Sequence, residues 1–340
     1  MRTTATSPCD PCQHRFMRAI ACDNGELTVA DVPTPIPADD EILIRVAAAG
    51  VNRADLLQRR GLYPPPPGAS DILGLEVSGT IAQVGAAVTG FDVGDEVCAL
   101  LAGGGYAEFV AVPAVQVLPV PVGIDLTEAA AIPEVACTVV SNLVLTAHLA
   151  PGETLLVHGG SSGIGTHAIQ LAKHLGATVA VTARTQEKLD VCRALGADIG
   201  VNYDDEDFVG VLKAAGGADV ILDIIGGRYL EGNVAALKTG GRLVIIGMQG
   251  GAKGTLNIGA LLAKRASVTG TTLRSRPTDG PGGKVEVVAA TANLVLPLLA
   301  DGTVKPVVDS TFPLADAAAA HARLDSGDAI GKVLLIVDEE

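Results

Sequence analysis

A glycine-rich turn between an apolar segment and an amphipathic segment is the clearest chemical signal in the sequence. The turn comprises Gly160, Ser161, Ser162, Gly163, Ile164 and Gly165. Glycines let the backbone turn tightly and approach a ligand, and the N–H groups that open the next helix point at anionic oxygens. The spacing G-x-x-G-x-G differs from the common G-x-G-x-x-G, so the strand–turn–helix context carries the interpretation. The pattern predicts a site for the diphosphate of a dinucleotide.

Basic residues follow the next predicted strand, at 178–182. In dinucleotide-binding folds, a carboxylate at the end of this strand accepts a hydrogen bond from the ribose 2′-hydroxyl of NAD. Here the strand ends at Ala183 and Arg184, with Lys188 shortly after. Cationic side chains suit a 2′-phosphate, so the sequence favours NADP(H) over NAD(H). The alternative is that Arg184 is a solvated surface charge.

The order of the predicted elements indicates an α/β protein with two domains. Residues 17–134 form short alternating segments divided by Gly and Pro, which is typical of a twisted, mostly antiparallel β domain. Residues 135–279 alternate strands with helices, which predicts βαβ units and a doubly wound parallel sheet. Residues 280–340 end in a strand at 332–337, and we expect this strand to pair with the first domain. In the first domain, we interpret the glycine-rich segment 103–108 as a hairpin turn.

The first sixteen residues are polar and irregular, and we predict that residues 1–16 are a disordered extension. They lack the long apolar centre of a secretory signal. Cys9, Cys12 and His14 are candidate metal ligands, but a single C-x-x-C without a second ligand pair is a weak signal. The disordered tail is therefore the favoured interpretation.

Length, charge and cysteine content limit the class of protein. The 340 residues are enough for two domains, and Gly, Pro or charge interrupts each apolar run before about 18 residues. The 24 basic and 38 acidic residues give a net charge of −14, which argues against nucleic acid or an anionic membrane as partner. Six scattered cysteines suit a reducing compartment. We expect a cytoplasmic protein with a small-molecule substrate.

Several ordered phrases resemble the zinc-free quinone oxidoreductases of the medium-chain dehydrogenase/reductase superfamily, and among them the tumour-suppressor-inducible, zeta-crystallin-like enzymes. The phrases are GVNRAD (50–55), YPPPPGAS (63–70), ILGLEVSG (72–79), AAIPE (130–134), VNY (201–203), DIIGG (223–227) and LRSR (273–276). Their number and order make the resemblance specific. It implies a GroES-like catalytic domain over 17–134 and 280–340, a Rossmann domain over 135–279, and a homodimer joined through the nucleotide-domain sheets.

The sequence also departs from the zinc alcohol dehydrogenases of this superfamily. Those enzymes use the His of a G-H-E motif as a zinc ligand, and this chain has Leu75 between Gly74 and Glu76. Asn52 stands where the resemblance places their first Cys ligand. We therefore expect no metal. Without a Lewis acid, the expected reaction is hydride delivery to an electron-poor acceptor such as a quinone or an enone.

The resemblance implies three residues beside the nicotinamide and the substrate. Asn52 and Tyr63 would be catalytic, Asn52 by holding a carbonyl or amide and Tyr63 by stabilising a developing oxyanion. Asn52 could instead only brace its loop, and Tyr63 could only pack there. Thr138 would lie near the nicotinamide, and the alternative is a threonine that opens a helix.

The remaining cofactor contacts are implied on three further loops. Lys188 and Tyr203 would contact the 2′-phosphate. The nicotinamide ribose and carboxamide would be contacted by Gly247, Met248 and Gly250, and by Leu273, Arg274 and Ser275, respectively. Alternatively, Gly247 and Gly250 could serve only to form the turn that follows the strand.

Together these features predict an NADPH-dependent quinone oxidoreductase that works without zinc. Two alternatives stay open. One is a 2-enoyl thioester or enone reductase with Tyr63 as the proton donor. The other is an NADPH-binding protein with a sensing or structural role.

Overall fold

The structure, a computed structural model, describes residues 16–337. Cys9, Cys12 and His14 lie outside these residues, as does nearly all of the segment predicted to be disordered. Phe16, the last residue of that segment, is instead the first residue of a strand. Within residues 16–337, no helix is long and apolar enough to cross a membrane.

The elements alternate as the sequence indicates. The strands are β1 (Phe16–Asp23), β2 (Glu26–Pro33), β3 (Glu41–Val51), β4 (Glu76–Val84), β5 (Glu96–Leu100), β6 (Phe109–Pro113), β7 (Val117–Pro119), β8 (Thr154–His158), β9 (Thr178–Ala183), β10 (Ile199–Asn202), β11 (Ala218–Asp223), β12 (Leu237–Ile245), β13 (Ser267–Gly270), β14 (Val308–Pro313) and β15 (Lys332–Ile336). The α-helices are α1 (Arg53–Arg59), α2 (Leu126–Ala129), α3 (Pro133–Val139), α4 (Gly163–His174), α5 (Gln186–Ala194), α6 (Phe208–Ala214), α7 (Leu230–Ala236), α8 (Ile258–Lys264), α9 (Lys284–Ala300) and α10 (Ala317–Asp325).

A seven-stranded sheet contains β3 to β7 and the last two strands, while β1 and β2 form a separate two-stranded sheet. Its order is β14-β15-β3-β4-β5-β7, and β6 also pairs with β3. Strand β15 lies antiparallel to β3 with Val333 opposite Val51, so the last strand returns to the first domain as expected. The neighbours are antiparallel except for the parallel pair β14 and β15. The pairs among β1 to β7 are all antiparallel, so the prediction for residues 17–134 is confirmed, and the parallel pair belongs to the C-terminal region.

The predicted hairpin at 103–108 is wrong. Strand β6 pairs with β3, not with β5, so this segment crosses the sheet. Its glycines serve a close crossing of two chain segments: the Gly105 N–H donates to Gly74 O at 3.2 Å. A Cβ on Gly105 would lie 3.1 Å from the Gly74 Cα. A glycine cluster permits both a tight turn and a close approach, and here packing requires the second.

Strands β8 to β13 form a six-stranded parallel sheet, which confirms the predicted doubly wound arrangement. The order is β10-β9-β8-β11-β12-β13. Every residue of β8 is buried, as expected for a central strand covered by helices on both faces. The direction of winding reverses between β8 and β11. Such a reversal opens a crevice at the carboxyl ends of the strands, where ligands bind in folds of this kind.

A continuous apolar core joins the two sheets. The largest buried cluster contains Leu100 of the first sheet, Leu155 and Val181 of the second, and Val287 and Val295 of α9. Because α9 packs its buried side chains into this shared cluster, the C-terminal region supports both sheets. The exact domain boundaries at 134/135 and 279/280 stay predictions.

Candidate active site

The glycine turn follows β8 and lies at the crevice of the parallel sheet. Gly159 has a φ of +74°, a conformation that favours glycine. The Ser162 hydroxyl accepts from the Gly165 N–H at 3.0 Å and donates to Gly159 O at 2.7 Å. A Cβ on Gly165 would lie 2.4 Å from Gly159 O, and one on Gly160 would lie 2.7 Å from the Val181 Cβ. The turn therefore needs its glycines, and the first N–H groups of α4 lack acceptors within the helix.

Residues 327–332, here named the C-terminal strap, run along this turn. The Gly331 N–H donates to Ser161 O at 2.8 Å. A Cβ on Gly163 would lie 2.6 Å from the Lys332 Cδ. Sequence reasoning did not connect the strap with the predicted diphosphate site, because the contacts of the strap with the turn depend on the return of the chain to the first sheet.

The three residues predicted to contact the 2′-phosphate lie together at the ends of β9 and β10. Arg184 follows β9 and is exposed, while Lys188 lies in the first turn of α5 and is 8% exposed. The Tyr203 N–H donates to Ala183 O at 3.1 Å, which brings Tyr203 beside Arg184. Burial and then the charge of Arg184 lower the pKa of the Lys188 ammonium. Two cations and a phenol thus lie together at this edge of the sheet, where the sequence predicts the 2′-phosphate.

The strap contacts both of these cations. The Arg184 Nη2 lies 2.6 Å from the Asp328 Oδ1. The Lys188 Nζ donates to the carbonyl oxygens of Gly327 and Ala329. The structure therefore places Asp328, an acid that sequence reasoning missed, at the predicted adenosine end of the crevice.

Asn52 precedes α1, and its side chain is held by charged neighbours. Its Nδ2 donates to the Glu76 Oε1 at 2.9 Å, and its Oδ1 accepts from the Lys332 Nζ at 2.7 Å. Its backbone N–H donates to the Asp55 Oδ2 at 2.8 Å. These bonds support the interpretation that Asn52 braces the loop. Its catalytic role stays a prediction.

A buried ion pair lies next to Asn52. The Lys332 Nζ is 2.6 Å from the Glu76 Oε1, and the two side chains are 5% and 0% exposed. Lys332 also donates to Val51 O at 3.0 Å, and the second Glu76 oxygen accepts from the Glu134 N–H at 2.8 Å. A buried pair is stable only when its remaining donors and acceptors are satisfied, as they are here. Asn52, Asp55, Glu76, Glu134 and Lys332 are named the cleft cluster below.

Glu134 is the member of the cleft cluster with an unsatisfied oxygen. The residue is partly buried as a whole, but its Oε2 is enclosed and has no hydrogen-bond partner among residues 16–337. Burial, and then the charge of Glu76, raise the pKa of Glu134 to about 8. Burial and the neighbouring carboxylate thus favour the protonated form of the Glu134 carboxyl well above its ordinary titration range. Burial also raises the pKa of Asp55 to about 6.

Thr138 lies beside Glu134 rather than at the start of a helix. Its hydroxyl donates to the Glu134 Oε1 at 3.4 Å, a long contact. Since α3 opens at Pro133 and Thr138 lies near its end, the helix-opening interpretation is wrong. Thr138 is 8% exposed, and its contact with the nicotinamide stays a prediction.

Tyr63 and Arg274 meet where the loop after β13 contacts the first domain. Arg274 is 3% exposed, and its Nε donates to Ala102 O at 2.8 Å. Its Nη2 donates to the Gln58 Oε1 at 2.7 Å, and its guanidinium lies 5.4 Å from the centre of the Tyr63 ring. Burial, and then the charge of Glu134, raise the pKa of the half-buried Tyr63 phenol. Arg274 thus bridges the two domains through protein groups.

The glycines after β12 are explained by close packing of two loops. A Cβ on Gly247 would lie 2.7 Å from Ile224 O. The Gly250 N–H donates to Ile225 O at 2.7 Å, and Met248 is 59% exposed. These residues lie at the carboxyl edge of the parallel sheet, and their contacts with the cofactor stay predictions.

Three other predicted cofactor residues differ in exposure. Leu273 is buried in the largest apolar cluster, and Ile164 packs partly against it. Ser275 is exposed, with its hydroxyl 2.6 Å from that of Thr272. The side chains of Leu273 and Ile164 are thus committed to packing, which leaves their backbones as the groups that could face a cofactor.

The described residues include no ready metal site. Within residues 16–337, no group of three or more His, Cys, Asp or Glu side chains is arranged to hold a metal ion. Leu75, at the position where the zinc enzymes carry a histidine ligand, is 1% exposed.

A GroES-like domain joined to a Rossmann-type sheet with a glycine turn defines a medium-chain dehydrogenase/reductase. Residues 38–122 match the family model "Alcohol dehydrogenase GroES-like domain", and residues 163–289 match "Zinc-binding dehydrogenase". The quinone oxidoreductases of Rattus norvegicus and Homo sapiens are each 31% identical, over 91% of this chain and 92% of theirs. The chain belongs to the zeta-crystallin-like quinone oxidoreductase family, and it is an oxidoreductase of the medium-chain superfamily.

Solved structures agree with this assignment. The Escherichia coli quinone oxidoreductase complexed with NADPH is 31% identical, with a TM-score of 0.82 over 95% of this chain and 99% of that one. A structure described as an NAD-dependent alcohol dehydrogenase is 32% identical, with a TM-score of 0.83 over 95% of this chain and 100% of that one. Structures similar to this chain thus include proteins described with either nicotinamide cofactor.

Proposed function

We propose that this protein is an NADPH-dependent quinone oxidoreductase that delivers a hydride directly to a quinone or a similarly electron-poor carbonyl, without zinc. The observation that carries this proposal is the convergence of Arg184, Lys188 and Tyr203 at the end of the crevice that begins at the glycine turn. A dinucleotide that carries a 2′-phosphate matches this charge distribution.

The residues present fit such a cofactor. The N-terminus of α4, a helix of 12 residues, would hold the diphosphate, since its first N–H groups and its dipole favour an anion. Arg184, Lys188 and Tyr203 would hold the 2′-phosphate. The cofactor, when bound, supplies the hydride. The loops at 247–250 and 273–275 would border its nicotinamide half, together with Thr138.

Asn52 and Tyr63 would orient the acceptor and stabilise charge on its oxygen. Burial and the charge of Glu134 raise the pKa of the Tyr63 phenol, so they favour its protonated form, which can donate a hydrogen bond to a developing oxyanion. The Arg274 guanidinium near its ring holds the phenol in place. Because Leu75 cannot ligate a Lewis acid, an acceptor that is already electron-poor is required.

A homodimer is part of this proposal. Strand β13 is an edge of the six-stranded sheet, and the neighbouring helix α8 exposes Leu262 at 72% and Ile258 at 57%. An open edge beside apolar side chains is suited to pairing with a second copy. Sedimentation analysis tests the proposed homodimer, and a monomer at micromolar concentration would contradict it.

The proposed activity is tested by comparing acceptors on the purified, chelator-treated protein. We expect oxidation of NADPH with 9,10-phenanthrenequinone to exceed oxidation with a 2-enoyl thioester at least about tenfold in kcat/KM, a difference of about 1.4 kcal/mol in the barrier. A preference for the thioester would favour the enoyl reductase with Tyr63 as proton donor. Tight NADPH binding with negligible turnover of every acceptor would favour the sensing or structural role.

A further inference from the structure

The adenosine end of the crevice contains an acid that no local pattern reveals. The sequence has no carboxylate directly after β9, where a dinucleotide fold ordinarily decides its cofactor. The fold nevertheless brings Asp328, from the C-terminal strap, to Arg184 at 2.6 Å. A carboxylate thus occupies part of the cation set that the proposed function assigns to the 2′-phosphate.

Hydrogen bonds on the strap fix Asp328 beside the site. The Ile330 N–H donates to the Asp309 Oδ1 at 2.9 Å, and the Gly331 N–H donates to Ser161 O at 2.8 Å. On the other side, the Asp328 N–H donates to the Ser326 hydroxyl at 3.1 Å. The Asp328 charge therefore stays close to the site even when the side chain of Arg184 turns toward another anion.

Lys188 is held by the same strap. Its ammonium donates to two strap carbonyls, of Gly327 and Ala329. Because these carbonyl groups are neutral, Lys188 can donate to phosphate oxygens in their place, and the carbonyl groups do not repel the phosphate. Asp328 differs, because its charge has the same sign as the phosphate.

We propose that Asp328 is a specificity-determining residue that weakens binding of the 2′-phosphate by occupying Arg184 and by adding a negative charge beside the site. This inference rests on the proposed function. The Arg184 guanidinium can present its donors to the carboxylate or to the phosphate, so the two anions compete. The side chains are 41% and 57% exposed, so solvent screens the repulsion and the effect is moderate.

The inference predicts a selective effect on ligands with a 2′-phosphate. A ligand with a free 2′-hydroxyl brings no second charge and does not need Arg184. Replacing Asp328 with Asn should therefore strengthen binding of 2′,5′-ADP and leave binding of 5′-AMP unchanged. Because Asp328 is exposed, we expect the variant to keep the fold, and a thermal midpoint equal to that of wild type would check this.

The experiment is calorimetric titration of 2′,5′-ADP and of 5′-AMP into wild-type protein, Asp328→Asn and Asp325→Asn. Asp325 is a matched control, since it is another C-terminal acid paired with arginines, namely Arg53 and Arg60. We expect Asp328→Asn to bind 2′,5′-ADP about five- to tenfold more tightly, with 5′-AMP within about twofold of wild type. Asp325→Asn should change neither affinity.

Unchanged or weaker binding of 2′,5′-ADP by Asp328→Asn would overturn the inference. Weaker binding would mean that Asp328 orients Arg184 toward the phosphate. A fourth protein, Arg184→Gln, separates this failure from failure of the proposed function. If wild type prefers 2′,5′-ADP and Arg184→Gln loses that preference, an unaffected Asp328→Asn overturns only the role of Asp328. If wild type shows no preference for 2′,5′-ADP, the NADPH proposal and this inference are both overturned.

Discussion

The C-terminal strap contributes one ion pair at each end of the proposed cofactor site, and the two pairs differ in their surroundings. At the cleft, strap residue Lys332 pairs with Glu76, and the side chains are 5% and 0% exposed. At the adenosine end, strap residue Asp328 pairs with Arg184, and the side chains are 57% and 41% exposed. The distance is 2.6 Å in both pairs, so the difference lies in solvation.

This difference separates structural charges from exchangeable ones. Breaking a buried pair leaves one charge desolvated, which destabilises a protein by about 3–5 kcal/mol. An exposed pair contributes about 0–1 kcal/mol and is screened by salt. The cleft pair is therefore part of the fold, whereas the adenosine-end pair can rearrange when a charged ligand arrives.

The largest effect is expected from removing the buried cation. Lys332→Met leaves Glu76 buried without its partner, so the free energy of unfolding should fall by about 3–5 kcal/mol. Urea denaturation measures it. Lys213→Met, at an exposed lysine of α6, should stay within about 0.5 kcal/mol of wild type. Equal losses of stability in the two variants would contradict the distinction between buried and exposed charges. The double variant Lys332→Met with Glu76→Gln should recover part of the stability that Lys332→Met loses.

The second prediction concerns the pH dependence set by Glu134. Its pKa is about 8 in the fold against an ordinary value of 4.5, so the native state keeps a proton that the unfolded state releases. This stability is fully present below about pH 4.5 and is lost as pH rises toward about 8. Glu134→Gln cannot titrate, so its stability relative to wild type should rise by roughly 2–4 kcal/mol between pH 5 and pH 8.

Urea midpoints at these two pH values measure the effect of Glu134→Gln. A matched control is Glu231→Gln, at an exposed position of α7, which should parallel wild type. If Glu134→Gln also parallels wild type, the Glu134 carboxyl of the wild-type protein is ionised in the fold. The cleft cluster would then be less desolvated than its geometry indicates.

A third prediction concerns the catalytic role proposed for Tyr63. Tyr63→Phe removes the proposed hydrogen bond to the acceptor oxygen, and we expect kcat with 9,10-phenanthrenequinone to fall about tenfold, or about 1.4 kcal/mol in the barrier. NADPH binding, followed by fluorescence, should stay within about twofold of wild type. Tyr229→Phe controls for aromatic packing, because Tyr229 packs on His158 and Phe208. Unchanged turnover by Tyr63→Phe with every acceptor would leave Tyr63 only its packing role.

The smallest effect on stability is expected at the adenosine end. Arg184→Gln should change the free energy of unfolding by no more than about 1 kcal/mol, because its pair is exposed. The same variant should weaken NADPH binding about tenfold at low salt and less at high salt, while NADH binding stays constant. Chemical denaturation and titration at two salt concentrations measure both. If Arg184→Gln lost several kcal/mol of stability, the exposed Arg184–Asp328 pair would not differ from the buried Lys332–Glu76 pair as proposed.

Local patterns in the sequence sufficed for most of the fold. Hydrophobic periodicity and glycine positions predicted the parallel sheet and the turn at Gly160–Gly165, because each depends on neighbouring residues. The expected pairing of the last strand followed from its need for a sheet edge. The hairpin at 103–108 was wrong because glycines serve close packing as well as tight turns.

The polar contacts of the site were harder to predict. Glu76 and Glu134 lay within the phrases that carry the family resemblance, yet nothing local showed that they share a buried cluster with Lys332. Asp328 gave no signal, since its contact with Arg184 exists only after the strap folds back across the crevice. Such contacts between distant segments are set by topology, which local periodicity does not encode.

The central claim is direct hydride transfer from NADPH to a quinone without a metal. It is tested most directly by anaerobic stopped-flow oxidation of NADPH and of NADPH deuterated at the transferred position, with 9,10-phenanthrenequinone and chelator present. We expect rapid oxidation of one NADPH per quinone, slowed about two- to fourfold by deuterium if transfer limits the rate, and a much weaker reaction with NADH. No oxidation until zinc is added, or equal rates with NADH and NADPH, would contradict it.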